Sequence, residues 1–179
     1  GNPVTSREAI MEALRRAAPP PCEPAEPPRG IRFDDPVAKF SEVLASVGGR
    51  CVVGDYRELE VVQTARRVLT CPDQSSQSPH ELADVDVAIV QGEFGVAENG
   101  AVWVPAANLG LRRVVFVIAQ HLVLRVPANA IVHNMHEAYQ RVGRDRFGVF
   151  ISGPSKTADI EQALVIGAQG PRSCTVVLE

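Results

Sequence analysis

Two short stretches combine side chains and backbone suited to holding an anion. In GPSKT, residues 153–157, Gly153 is free to take positive φ, Pro154 stiffens the turn, and Lys156 supplies an ammonium. Ser152, Ser155 and Thr157 offer hydroxyls that cap free backbone amides or hold a ligand oxygen. In QGEFGVAENG, residues 91–100, a glycine-punctuated turn carries Glu93, Glu98, Asn99 and Gly100, and its amides can face a carboxylate or phosphate. The plainer reading of that turn is conformational, a tight reversal that needs glycine. Glu98 is the candidate general base. If Glu93 lies beside it, repulsion between the two carboxylates raises one pKa, a common way to make a base.

Lys156 stands out because arginine is the default cation, with sixteen Arg against two Lys, Lys39 and Lys156. A required point charge and a solvated turn cation both fit that choice. A Walker-type phosphate loop is excluded. Gly148 and Gly153 have its spacing, but Pro154 stands where the lysine must be and removes an amide donor. His133 and His136, three apart on an expected helix with Glu137 adjacent, can share one face as metal ligands, although surface or half-buried histidines are the commoner case. His121, at the head of an expected strand, is either a hydrogen-bonded structural histidine or a group aimed into a cleft. Asp159 and Glu161 are first helix-start acids and second ligand groups. Trp103 reads as a core aromatic, and Phe94 as an exposed platform for a ligand.

The elements that must position these residues follow from periodicity and punctuation. Residues 6–18 have the spacing of an amphipathic helix, with Ile10, Met11 and Leu14 apolar and Thr5 or Ser6 as caps. Six of the ten residues 19–28 are proline, which makes an extended linker and leaves the helix as an arm that docks on the body or on a neighbour. The expected division is therefore an arm and linker over residues 1–30 and a domain over residues 31–179. Gly1 in place of an initiating Met reads as an expression remnant and carries no weight for the fold. Within the domain, helices are expected over 36–47, capped by Asp34 or Asp35, and over 56–69, 127–142 and 157–164. Strands are expected over 50–53, 85–90, 101–104, 114–118, 121–126, 147–152 and 175–178. That alternation predicts a three-layer α/β domain with a mostly parallel sheet, to which residues 101–126 can add an antiparallel hairpin. In such sheets ligands sit outside the carboxyl ends of strands, and the loops after Val90 and Ile151 are expected there.

Composition narrows the function. With 179 residues, 45% hydrophobic and 22% charged, the chain is long enough to bury one ordinary core. A net charge of −3 and a pI near 5.8 argue against a nucleic-acid partner or an anionic membrane surface. No stretch approaches the ~18 apolar residues of a membrane span. Cys22, Cys51, Cys71 and Cys174 form no C-x-x-C pair, which points to a reduced, cytoplasmic protein with inert thiols and no iron–sulfur or zinc site of its own.

Residues 91–105 and 153–161, with Gln169-Gly170-Pro171 after them, together resemble the LUD (lactate utilisation) domain family of LutC-like proteins. That family shows an Ala-Glu-Thr-Gly-Thr turn, then Gly-Pro-Ser-(Lys/Arg)-Thr-Ala-Asp-Ile-Glu and a closing His-Gly-Pro. The likeness runs in order and spacing over residues 83–178, more loosely before them. The chain departs from it with Asn99 in place of Thr and Gln169 in place of His. The resemblance implies the NagB/RpiA/CoA-transferase-like fold. The residue reading and the resemblance together give an expected small-anion site drawing on Glu93, Asn99, Gly100, His121, Ser152, Gly153, Ser155, Lys156, Thr157, Asp159 and Gln169. The resemblance further implies a place in a system that oxidises L-lactate to pyruvate, in which partner subunits carry the iron–sulfur clusters and this chain holds no cofactor. Two alternatives stand beside it. One is a stand-alone enzyme on a sugar phosphate, acyl-CoA or folate-like substrate, with Glu98 as base and Lys156 holding the anion. The other is a non-catalytic interaction domain whose arm makes a homo-oligomer or hetero-oligomer.

Overall fold

The computed structural model describes residues 5–20, 22–23, 25, 30–72, 79–110, 114–144, 146–158, 164–166 and 170–179. In chain order the elements are α1 (Ser6–Ala17), α2 (Pro36–Ser46), β1 (Arg50–Val53), α3 (Glu60–Gln63), β2 (Val68–Cys71), β3 (Val87–Gln91), β4 (Phe94–Val96) and β5 (Ala101–Pro105). There follow α4 (Val115–Ile118), β6 (His121–Val126), β7 (Ile131–Val132), α5 (Met135–Val142), β8 (Gly148–Ile151), β9 (Lys156–Ala158), β10 (Leu164–Ile166) and β11 (Ser173–Leu178).

The architecture is a three-layer α/β arrangement around a five-stranded parallel sheet, ordered β1-β11-β6-β3-β2. A four-stranded sheet, β7-β4-β5-β8, is antiparallel at β4–β5 and β5–β8 and packs on one face. Strand alternation divides the parallel sheet cleanly. Leu122, Leu124, Val126, Val176 and Leu178 join Phe94, Val102, Val104 and the helix residues Phe40 and Leu44 in the main core, all essentially buried. Val87, Ile89, Val123 and Val177 face the other way, under Tyr56, Leu59, Val61, Val62 and Ala65. Each such side chain contributes about 1.5–3 kcal/mol through burial.

Local signals set the helix starts. Thr5 and Glu8 form a reciprocal capping box at α1. Asp35 Oδ1 accepts the Ala38 amide at 2.9 Å, and Pro36 follows as the first residue of α2. On the apolar side of α1, Ile10, Met11 and Leu14 are all exposed.

Several expectations are corrected. The helix expected over 56–69 is a 3-10 turn (Tyr56–Glu58) and the short α3. Asp86 Oδ2 takes the amides of Arg66 and Arg67 at 2.7 and 3.1 Å, which stops helical continuation, and Val68–Cys71 then pairs with β3. The strand expected over 114–118 is the single-turn α4, because β6 already has β11 and β3 as its two neighbours. The antiparallel hairpin is accordingly β4–β5 rather than a pairing with β6. The helix expected over 127–142 begins only at Met135, where Asn134 Oδ1 accepts the Glu137 amide at 3.0 Å. Ile131 and Val132 pair with β4 instead. The helix expected over 157–164 is excluded at its start, since Lys156–Ala158 pairs antiparallel with Leu164–Ile166. Asp159 and Glu161 lie outside the described residues. Phe94, expected at the surface, is fully buried and contacts Phe150 edge-on, while Trp103 is a core aromatic.

Candidate functional site

The two anion-suited stretches meet. Ser152 follows the last strand of the smaller sheet, and its hydroxyl donates to the Asn99 carbonyl at 2.8 Å. Asn99 Oδ1 in turn accepts the Ala101 amide at 3.1 Å, closing the β4–β5 turn on itself. Gly100 has φ +65°, and a Cβ there would lie 2.9 Å from the Leu44 backbone nitrogen, so the turn is pressed directly onto α2. Gly153 has φ +72° and abuts the Val47 carbonyl at the other end of the contact.

The Ser155 amide donates to the Pro171 carbonyl at 3.0 Å, which ties the GPSKT turn to the Gly170-Pro171 turn. Lys156 Nζ is 3.6 Å from the Cβ position of Gly48, and among the described residues Lys156 has no ion pair. Residues 150–156 with Phe116, Leu122 and Pro171 line a cleft of about 300 Å3. The backbone of Thr157 lies in β9, and Gln169 is outside the described residues.

This cluster stands at the opposite edge of the sheet from the one expected. Gly48 leads into β1 and Pro171 into β11, so the GPSKT turn lies at the amino ends of the parallel strands. Of the two loops expected at the carboxyl ends, the one after β3 does reach them, and there the Gly92 amide donates to the Arg125 carbonyl at 2.8 Å.

Glu93 and Glu98 are consequently apart, at opposite ends of β4. The Glu93 amide bonds to Trp103 and the Glu98 amide to His133. Glu93 is held by both terminal nitrogens of Arg146, which keeps its carboxyl below the usual carboxylate range rather than raised. Glu98 is exposed, and its Oε2 accepts the Met135 amide at 2.8 Å at the start of α5.

The histidines divide differently from the sequence reading. His133 precedes α5 and its Nδ1 accepts the Phe33 amide at 3.0 Å, so the two histidines do not share a helix face. Glu137 is occupied by the His133 amide and by Arg32. Among the described residues no three His, Cys, Asp or Glu side chains gather as a metal site. His121 Nδ1 is hydrogen-bonded to Ser173 Oγ at 2.8 Å, and with Arg50 and Thr175 the pair lines a separate cleft on the other face of the sheet. Sequence reasoning missed Arg50, Ser173 and Thr175. The signal was available as polar residues at strand positions whose alternates are valine, but without the register it names no site.

A family model, the LUD domain, matches residues 54–178, which takes in every element from β2 to β11 and both turns of the cluster. The chain belongs to the LUD domain family. Similar proteins include "Lactate utilization protein C" of Shouchella clausii, 32% identical over 59% of this chain and 49% of that protein. The protein of the same name from Bacillus subtilis is 29% identical over 59% and 47%. The chain thus matches about half the length of these relatives. A crystal structure of a DUF162 family protein from Deinococcus radiodurans covers 80% of this chain and 95% of its own, with TM-score 0.62 and 18% identity, and shows the same fold. The LUD assignment and the three-layer α/β expectation therefore stand. Among the described residues no helix is long and apolar enough to cross a membrane.

Proposed function

We propose that this LUD domain serves a lactate-utilisation system as a component that binds or assembles rather than transfers electrons. The observation that carries the reading is the family match over residues 54–178 together with relatives named lactate utilization protein C. Oxidising L-lactate to pyruvate removes two electrons, which require a flavin, nicotinamide or metal centre. In this reading iron–sulfur partner subunits accept them, and the chain itself holds no cluster. Cys71 and Cys174 are buried on strands, Cys51 is half-buried and Cys22 exposed, and no three described ligand side chains converge.

The Asn99–Ser152 junction and the GPSKT turn form the working surface. Lys156 is the cation most available there to a carboxylate ligand or to an acidic partner. The test is genetic: deleting the gene in its own cells should abolish growth on L-lactate and spare growth on glucose, with restoration by the intact gene. Equal growth of the deletion strain on both carbon sources would sink the reading.

The second reading, a stand-alone enzyme on a small anionic substrate, draws on the same free ammonium at Lys156. It gives Glu98 the role of base although one of its oxygens already caps α5. Turnover by the purified single chain, lost in Lys156→Ala, would favour it.

A further inference from the structure

On the outer face of the parallel sheet, polar side chains stand at the amino end and valines follow them. Arg50 precedes Val52 on β1, Ser173 and Thr175 precede Val177 on β11, and His121 precedes Val123 on β6. The register sets Arg50 opposite Thr175 and Ser173 opposite His121. The polar set therefore spans three adjacent strands, about 10 Å at the usual strand spacing. Residues 56–65 roof the valines. Between that roof and the polar end lies a cleft of about 560 Å3, whose other wall carries Glu58 and Glu60.

The charges in this cleft do not neutralise one another. Arg50 forms no ion pair with any described residue, and neither do Glu58 and Glu60. All three are exposed, so they cost little desolvation while the cleft holds only solvent. A ligand spanning the walls gains on both sides. The guanidinium fork suits a carboxylate or phosphate, Ser173, Thr175 and His121 add hydrogen bonds to the same end, and the glutamates receive a cation. A simple anion meets Glu58 and Glu60, and a simple cation meets Arg50, so each is opposed by one wall.

We propose that this cleft binds a small zwitterion, with its oxyanion end on Arg50, Ser173 and His121 and its ammonium end on Glu58 and Glu60. The site lies across the sheet from the Asn99–Ser152 junction and does not rest on the lactate reading. An aminoalkyl phosphate and an amino acid share the required chemistry.

The experiment titrates the full chain with O-phosphoethanolamine and β-alanine, and with the singly charged ethyl phosphate, propionate and ethylamine. Calorimetry gives affinity, and the imidazole NMR signals of His121 report contact. At least one zwitterion should bind about tenfold or more tighter than either of its singly charged counterparts and shift His121. Arg50→Gln and the double change Glu58→Gln with Glu60→Gln should each erase that advantage without lowering the unfolding temperature. Preference for phosphoethanolamine or for β-alanine assigns the oxyanion. The proposal is overturned if a singly charged compound binds as well as the zwitterions, if none of the five binds at millimolar concentration, or if Arg50→Gln leaves the advantage intact.

Discussion

Ser152 Oγ donates to the carbonyl of Asn99 at 2.8 Å, joining two loops that are 53 residues apart in the chain. This bond fixes the GPSKT turn against the β4–β5 turn, and both against the carboxyl end of α2. Ser152→Ala removes the donor at an exposed position, so the expected loss of stability is about 1 kcal/mol or less. Hydrogen exchange at the amides of residues 97–101 should rise more than the global unfolding temperature falls. Unchanged exchange there would mean that the junction is held by packing alone.

Gly100, like Gly153, is a residue of that junction that no side chain replaces without strain. An alanine must adopt φ +65° with its Cβ 2.9 Å from the Leu44 nitrogen, against backbone that cannot yield cheaply. Gly143 has a similar φ of +73° but open space around it. Chemical denaturation should show Gly100→Ala destabilised by roughly 2 kcal/mol or more, and Gly143→Ala, whose φ of 73° comes with ψ −174°, by backbone strain alone, about 1–3 kcal/mol.

The pair of Glu93 with Arg146 gives a pH signature. Arg146 holds the Glu93 carboxyl below its ordinary value of 4.5, so the native state binds that proton less readily than the unfolded chain. The contribution is present above the unfolded pKa and is lost as pH falls through the lower folded one. Glu93→Gln should therefore cost up to about 1 kcal/mol at pH 7 and progressively less below pH ~4, given how exposed the pair is. Parallel melting curves of the two proteins from pH 7 to pH 3 check this. A difference that grows on acidification would contradict it.

Burial sorts the thiols. Cys174 is pushed up to about 12 by burial, and Cys51 is raised for the same reason, whereas Cys22 is exposed. A thiol reagent at pH 8 should label Cys22 within the mixing time, Cys51 more slowly, and Cys174 only after unfolding. Stability should fall as pH rises above 9, because the unfolded chain releases the Cys174 proton there while the native state keeps it.

What the sequence revealed was local. Thr5 or Ser6 and Asp34 or Asp35 announce helix starts, and of these Thr5 and Asp35 are the caps in place. The valine-rich runs at β3, β6 and β11 announce buried parallel strands because both faces are covered. What was hidden depended on partners distant in sequence. Val68–Cys71 is a strand because Asp86 takes the two amides before it and β3 lies alongside. Ile131 and Val132 join β4 because Asn134 delays the helix. The motif residues of the GPSKT turn were legible, but their placement at the amino edge follows from contacts with Gly48 and Pro171 that no spacing encodes. The His121–Ser173 pair is likewise a product of the β6–β11 register.

The most direct test of the proposed role is anaerobic affinity purification of the tagged chain from its own cells. Iron content and L-lactate-dependent dye reduction are then assayed on the eluate and on the isolated chain. The account predicts iron and activity in the co-purified fraction and neither in the chain alone. Lactate-dependent dye reduction by the isolated chain, or an eluate free of iron-containing partners and of activity, would contradict it.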